Sequence, residues 1–188
     1  MLLVLLGHLQ FAGHNAVPLL AVWFLSALLN VVVQELLVRG YLFFLLEDRY
    51  GVGVATVATT ILFVTMHGGA REAGFLAIVN VALTSVLLSL LLVYSGSLLA
   101  PIIAHFIWNS IGCLVLGIVP LAEDYPHLLN GILSGDALIS GGAYGIEGGG
   151  ATFLVTLLLT VLVGILARRQ NRRRRVVARI TAAPQYTT

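Results

Sequence analysis

Long stretches of this chain contain almost no charged residues, and this feature constrains the fold more than any other. Of its 188 residues, 59% are apolar and 10% are charged, and the mean hydropathy is +1.02. A soluble globular domain carries about 25% charged residues, so the composition indicates a membrane protein. Backbone polar groups in lipid must pair within their own segment, which favours helices over the alternating ten-residue segments of a barrel.

The apolar segments predict an all-α fold, a polytopic transmembrane bundle of five to six helices at about 20 residues per span. The periodicity places helices at about 2–12, 17–46, 52–67, 73–94, 98–119 and 151–167. Glycines and prolines interrupt the pattern at about 120–150, where we expect an extramembrane or re-entrant loop. One membrane domain, residues 1–167, is therefore expected, followed by an arginine-rich tail at 168–188.

The basic residues are distributed unevenly along the chain. There is no lysine, and seven of the ten arginines lie between Arg168 and Arg179. Arginines beside a span mark its cytoplasmic end, so we expect the tail to be cytoplasmic. A basic run can also bind nucleic acid, but next to a span anchoring at the lipid surface is the better interpretation, so no nucleic-acid partner is predicted. Cys113 is the only cysteine, which excludes an intrachain disulfide and a thiolate metal cluster.

Three ionisable side chains interrupt separate apolar segments: Glu35, His67 and His105. A charged residue at bilayer depth costs roughly 2.5–3.5 kcal/mol on insertion scales, so such residues usually serve a function. Each has a structural alternative, either as part of a buried ion pair or as a hydrogen-bonded core histidine. Together they predict one polar site inside the bundle.

Helical spacing groups these residues with further polar and aromatic side chains. Three pairs lie four positions apart and can share a helix face: Glu35 with Arg39, Phe63 with His67, and His105 with Asn109. The set offers a candidate base, two imidazoles that could orient water or bind a metal, and an amide donor for an oxyanion. A small transporter with a Glu–His proton relay would use similar residues, so that alternative stays open.

Three short motifs resemble those of the CAAX-protease and bacteriocin-processing (Abi) family. They are Gln-Glu-x-x-x-Arg-Gly-Tyr-Leu at 34–42, Phe-x-x-x-His at 63–67 and His-x-x-x-Asn at 105–109. Each motif alone is weak, but three in this order are specific. The members are intramembrane endopeptidases related to the Ras-converting prenyl-protein protease.

The resemblance implies hydrolysis of a peptide bond by an activated water. His67 would then assist the base, His105 and Asn109 would stabilise the oxyanion, and Glu35 with Arg39 would complete the site. The substrate would be a membrane-associated or lipidated protein or peptide, for example a prenylated tail, a bacteriocin leader or a C-terminal sorting anchor. An integral protein of a prokaryotic cell membrane is expected.

Whether a metal takes part is left open by the resemblance. The family was named as metalloproteases, whereas several members look like metal-independent glutamate proteases. If zinc were the cofactor, Glu35, His67 and His105 would be its ligands, and a fourth position would hold water.

The chain departs from the family at position 34, where the leading catalytic glutamate is replaced by Gln34. A neutral amide cannot take a proton from water. Three explanations are open: a deliberate inactivating substitution, a naturally inactive relative that acts as a peptide-binding or immunity protein, or a base supplied by Glu35. We favour the first because Arg39 and both histidines are intact.

Two further residues have open interpretations. Trp108 could lie in an interfacial aromatic belt or could wall the site beside Asn109. Glu147 lies among glycines at 141–150, which would allow close backbone approach to a substrate or simply form a tight re-entrant turn.

Overall fold

The computed structural model describes residues 2–119 and 125–181, and in its last helix it describes side chains up to Asn171. The described residues are mostly helical, as predicted. The helices are α1 Leu2–Leu5, α2 Leu20–Glu35, α3 Phe44–Met66, α4 Gly68–Ala73, α5 Phe75–Ser95, α6 Leu99–Asn109, α7 Ala137–Ser140 and α8 Gly150–Thr181. The strands are β1 Leu9–His14 and β2 Leu129–Leu133. Two π-helical segments, Leu36–Phe43 and Ser110–Val115, continue α2 and α6.

Within the described part, three helical stretches are long and apolar enough to cross a membrane. They are 20–66, Phe75–Ser95 and Gly150–Asn171, and Leu99–Val115 is a shorter apolar helix. Their outward faces carry many exposed leucines and valines, whereas the buried side chains include polar ones. With this distribution, the apolar outer surface can face lipid, and the polar side chains are packed between the helices. The prediction of an all-α polytopic membrane bundle is confirmed.

The longest stretch reverses its direction at Gly51. This glycine has φ 83° and ψ 166°, outside the helical region. Phe43, before the turn, packs in one buried cluster with Ala55, after it. The two arms of this stretch therefore run antiparallel, which agrees with the predicted break between 46 and 52.

The N-terminal segment was predicted to be a helix over 2–12, and this prediction is wrong. Only Leu2–Leu5 is helical, and β1 pairs antiparallel with β2, with Leu9 opposite Leu133. Apolar runs this short do not distinguish a helix from a strand by periodicity, and the partner strand lies more than a hundred residues away.

The predicted loop at 120–150 contains β2, α7 and short 3-10 turns, and its glycine-rich part is tied to α5. Asn80 donates its side-chain amide to the carbonyl oxygens of Glu147, at 2.7 Å, and Gly149, at 3.0 Å. After this loop, α8 continues past Ala167 into the arginine-rich segment. Part of the predicted loop, residues 120–124, and the end of the predicted tail, residues 182–188, lie outside the described residues.

We predict that Gly141→Ala destabilises the protein by at least about 1 kcal/mol more than Gly7→Ala. Both glycines have a positive φ, 89° and 74°, so both substitutions strain the backbone. A Cβ at Gly141 would also collide with the carbonyl oxygen of Gly145, whereas a Cβ at Gly7 would meet no atom within 4 Å. Unfolding of both variants in detergent, compared with the parent chain, measures the difference; equal losses would contradict the prediction.

Candidate active site

Glu35 and Arg39 form an ion pair inside the bundle. Both side chains have no solvent exposure, and Arg39 Nη1 donates to Glu35 Oε1 at 2.9 Å. His105, on α6, donates from Nδ1 to the same carboxylate oxygen at 2.8 Å. One carboxylate thus joins two helices that are 70 residues apart in the sequence.

Arg39 also has partners that the sequence analysis missed. Its Nη2 donates to Ser85, to the hydroxyl at 2.6 Å and to the carbonyl at 3.1 Å. Thr60 donates to the same hydroxyl at 3.2 Å. The guanidinium carbon lies 4.4 Å from the centre of the Phe63 ring, in cation–π geometry. A serine inside the apolar α5 was the available signal, although small polar residues are also common where membrane helices pack closely.

His105 and Asn109 project from the same face of α6, as their spacing predicts. Asn109 Nδ2 lies 3.3 Å from His105 Nε2. Because Nδ1 of His105 faces a carboxylate, we assign its proton there, and Nε2 then accepts from the amide. An amide carries two N–H groups, so Asn109 has a second one for another acceptor.

His67 lies at the C-terminal end of α3 and is linked to this network through an aromatic ring. Its Nδ1 donates to the carbonyl oxygen of Phe63 at 2.7 Å. The Phe63 ring centre is 4.3 Å from that of His67 and 5.5 Å from that of His105. With Nδ1 protonated, the neutral ring of His67 keeps its lone pair on Nε2.

Gln34 does not point into the network. Its Nε2 donates to Asn30 Oδ1 at 2.9 Å, one helical turn earlier. Both residues line an open groove on the bundle surface together with Met66, the residue before His67. The neighbouring positions 34 and 35 therefore face different environments, as the 100° rotation per residue requires.

Both helices that carry site residues change to π-helix immediately after them. The segment Leu36–Phe43 follows Glu35, and Ser110–Val115 follows Asn109. π-helical turns are rare and frequently occur at functional sites. Sequence periodicity gave no sign of either segment.

Trp108 and Glu147, whose roles the sequence left open, contact each other. Trp108 Nε1 donates to a carboxylate oxygen of Glu147 at 3.1 Å, and Glu147 is buried. Trp108 also lines an apolar cavity of 410 Å³ between α6 and α8, together with Gly112 and Thr152. The glycine-rich segment is therefore anchored beside the helix that carries Asn109.

The predicted zinc ligands are not gathered into a metal site in the described part of the chain. Among the described residues, no group of three or more His, Cys, Asp and Glu side chains could hold one. Both ring nitrogens of His105 are engaged, and the carboxylate oxygen that it contacts also binds Arg39. Zinc binding by Glu35, His67 and His105 stays a prediction.

Comparison with known proteins identifies one family. The type II CAAX prenyl endopeptidase Rce1-like family matches residues 16–111, just over half of the chain. Neither the curated proteins nor the solved structures include a significant match. The matched range contains Gln34, Glu35, Arg39, His67, His105 and Asn109. The chain therefore belongs to the type II CAAX prenyl endopeptidase Rce1-like family.

Proposed function

We propose that the protein is an intramembrane endopeptidase that hydrolyses a peptide bond in a membrane-associated or lipidated protein. The observation that carries this proposal is the buried network in which Glu35 binds both Arg39 and His105. Charged and polar groups are costly inside an apolar bundle, so they usually serve a function. Family membership supports a membrane protease.

The residues divide into groups that accept a proton and groups that stabilise charge. A water forms a bond to the substrate carbonyl carbon and gives its proton to a base, which passes it to the leaving amine as the C–N bond breaks. His67 Nε2 is one acceptor for that proton. The oxyanion would accept from the free N–H of Asn109, which His105 holds in place.

Arg39 and Ser85 position this machinery. Arg39 fixes one oxygen of Glu35, and the Ser85 hydroxyl and carbonyl fix Arg39. Glu35 in turn sets the ring orientation and tautomer of His105, as a carboxylate commonly does for a catalytic imidazole. Loss of any of these contacts would move the oxyanion donor.

The residue at position 34 determines whether this chain can hydrolyse a substrate without a substitution. The family base would be a glutamate there, and Gln34 cannot take a proton. Glu35 has one buried oxygen, Oε2, without a hydrogen-bond partner, which supports it as an alternative base. The amide at position 34 equally favours the second candidate function, a membrane protein that binds peptides or confers immunity without cleaving them.

The type of membrane, the orientation of the tail and the candidate substrates are proposals as well. We place the protein in a prokaryotic cell membrane with the arginine-rich tail in the cytoplasm, following the bias of arginine toward that side. A prenylated tail, a bacteriocin leader and a C-terminal sorting anchor are the candidate substrates.

Hydrolysis of a panel of membrane-anchored peptides in proteoliposomes tests the proposal. In whichever form of the protein is active, Asn109→Ala should lower kcat by about 10²–10³-fold, because an oxyanion donor is lost. Ser110→Ala is the matched control, because this buried neighbour donates its hydroxyl to the carbonyl oxygen of Phe106 in its own helix, at 2.6 Å. Mass spectrometry of the products measures both rates.

Two outcomes would contradict the endopeptidase. Equal losses in Asn109→Ala and Ser110→Ala would assign Asn109 a packing role. Binding of peptides without cleavage, both by the parent chain and by Gln34→Glu, would favour the non-enzymatic relative.

A further inference from the structure

We infer that the site opens toward the noncytoplasmic face of the membrane and acts on a polypeptide segment that reaches the bilayer from that side. The inference rests on the proposed function for its substrate, and on charge and helix geometry for its direction. A cytoplasmic prenylated tail is then not the substrate.

The relative direction of α5 and α8 defines the two ends of the bundle. Gly164 of α8 lies beside Leu90 of α5, and Gly149, just before α8, binds Asn80. These two contacts are in the same order along both helices, so α5 and α8 run parallel. The C-terminal end of α5 and the arginine-rich half of α8 therefore share one end of the bundle.

The Gly51 turn lies at that same end. Leu92, near the end of α5, packs in one cluster with Phe43 and Ala55, which flank the turn. Arg49 adjoins the turn and is exposed. We call this the arginine end, because Arg49 and the seven arginines from Arg168 to Arg179 outnumber the two acidic residues beside the turn, Glu47 and Asp48.

The opposite end, which we call the loop end, has a different charge. It contains β1, β2 and the short helices between 137 and 148. Its described charged residues are Arg71, Glu72, Asp136 and Glu147, so acidic residues outnumber the single arginine. Arg71 itself is engaged with the carbonyl of Thr65, at 3.1 Å near the end of α3. Arginine excess at one end sets membrane orientation, and the arginine end is therefore cytoplasmic.

The length of α3 gives the depth of the site. Between Val52, at the arginine end, and His67 the helix rises about 22 Å, at 1.5 Å per residue. The hydrocarbon core is about 30 Å thick, so His67 lies beyond its middle, toward the loop end. His67 is also the last residue before a break in the helix, with φ −101° and ψ 72°.

The oxyanion donor faces the same end. Asn109 lies about 15 Å along the helix from Leu99, which follows the end of α5, and Ser110–Val115 continues this helix toward β2 at the loop end. Trp108, beside it, is bonded to Glu147 of the glycine-rich segment. A scissile bond placed between His67 and Asn109 would thus enter from the noncytoplasmic side, next to the loops there.

The substrate class follows from this direction. An extended segment just outside a membrane anchor, on an exported protein or a secreted peptide precursor, would present its peptide bond at this depth. Its anchor would lie in the lipid beside the bundle.

Cysteine labelling in intact cells tests the direction without requiring activity. In a Cys113→Ser background, Leu138→Cys places a thiol at the loop end, and Tyr50→Cys places one at the arginine end. Both parent side chains are exposed, by 74% and 58%. A membrane-impermeant maleimide should label Leu138→Cys in intact cells and label Tyr50→Cys only after permeabilisation. The reverse pattern would overturn the inference.

Paired substrates test from which side of the membrane the site takes its substrate. The same peptide segment is fused on either side of one membrane anchor and expressed with the Gln34→Glu variant. Cleavage is expected only for the noncytoplasmic fusion, and cleavage of the cytoplasmic fusion would overturn the inference. If neither fusion is cut while labelling occurs as expected, the proposed function fails but the orientation stands.

Discussion

Gln34→Glu is expected to raise the rate of peptide hydrolysis by about 10²–10⁴-fold, the usual contribution of a positioned general base. The side chains are nearly isosteric, so the helix need not move. The current partner of Gln34 can adapt, because Asn30 can turn its amide to donate to a carboxylate instead of accepting from Nε2. The new carboxylate would lie in the groove that Met66 also lines, directly before His67.

A matched variant separates a base at this position from a mere negative charge in the groove. Asn30→Asp adds a carboxylate one turn away in the same groove. It should leave the rate unchanged, because the carboxylate is displaced from His67 by a full helical turn of about 5.4 Å. Adding His67→Ala to Gln34→Glu should remove the gain.

The measurement is single-turnover cleavage of one anchored peptide in proteoliposomes. No gain from Gln34→Glu, together with loss of activity in Glu35→Gln, would make Glu35 the base. That result would leave the peptidase in place and change only its proton acceptor.

The sequence predicted the members of the network more completely than it predicted their arrangement. Spacing of four residues placed Glu35 with Arg39 and His105 with Asn109, because both pairs lie on helices where that rule holds. It could not show that Glu35 binds His105, since contacts between helices depend on packing across 70 residues. Ser85 was missed for the same reason.

The fold was likewise predictable in some parts and not in others. Long apolar helices were predictable because each span contains its own signal of length and hydropathy. The strand pair β1–β2 was not, because neither short segment encodes its distant partner. The π-helical segments were not predicted either. A π-helical turn holds about one residue more than an α-helical turn, and the spacing of apolar residues in the sequence does not reveal such a local change.

Arg39→Ala is expected to lower the free energy of unfolding by about 3–5 kcal/mol, the typical cost of breaking a buried ion pair from one side. The substitution leaves the Glu35 carboxylate in an apolar interior, where His105 is its only hydrogen-bond partner among the residues that the structure describes. It also removes the shorter of two hydrogen bonds to the Ser85 hydroxyl, leaving the one from Thr60, and removes the cation above Phe63. Arg49→Ala is the control, because Arg49 is exposed and should change stability by less than about 0.5 kcal/mol.

The double variant Glu35→Leu/Arg39→Leu distinguishes electrostatics from packing. Replacing both partners removes the stranded charge, so it should cost less than Arg39→Ala alone, even though more of the network is lost. Unfolding in mixed micelles with rising denaturing detergent measures all of these variants. A double variant less stable than Arg39→Ala would mean that the network holds the bundle together. The expected order would mean that the loss in Arg39→Ala comes mainly from the charge left on Glu35. A double variant at least as stable as the parent chain would mean further that apolar side chains would serve the fold as well as the ion pair does, and that catalytic geometry is the reason for its presence.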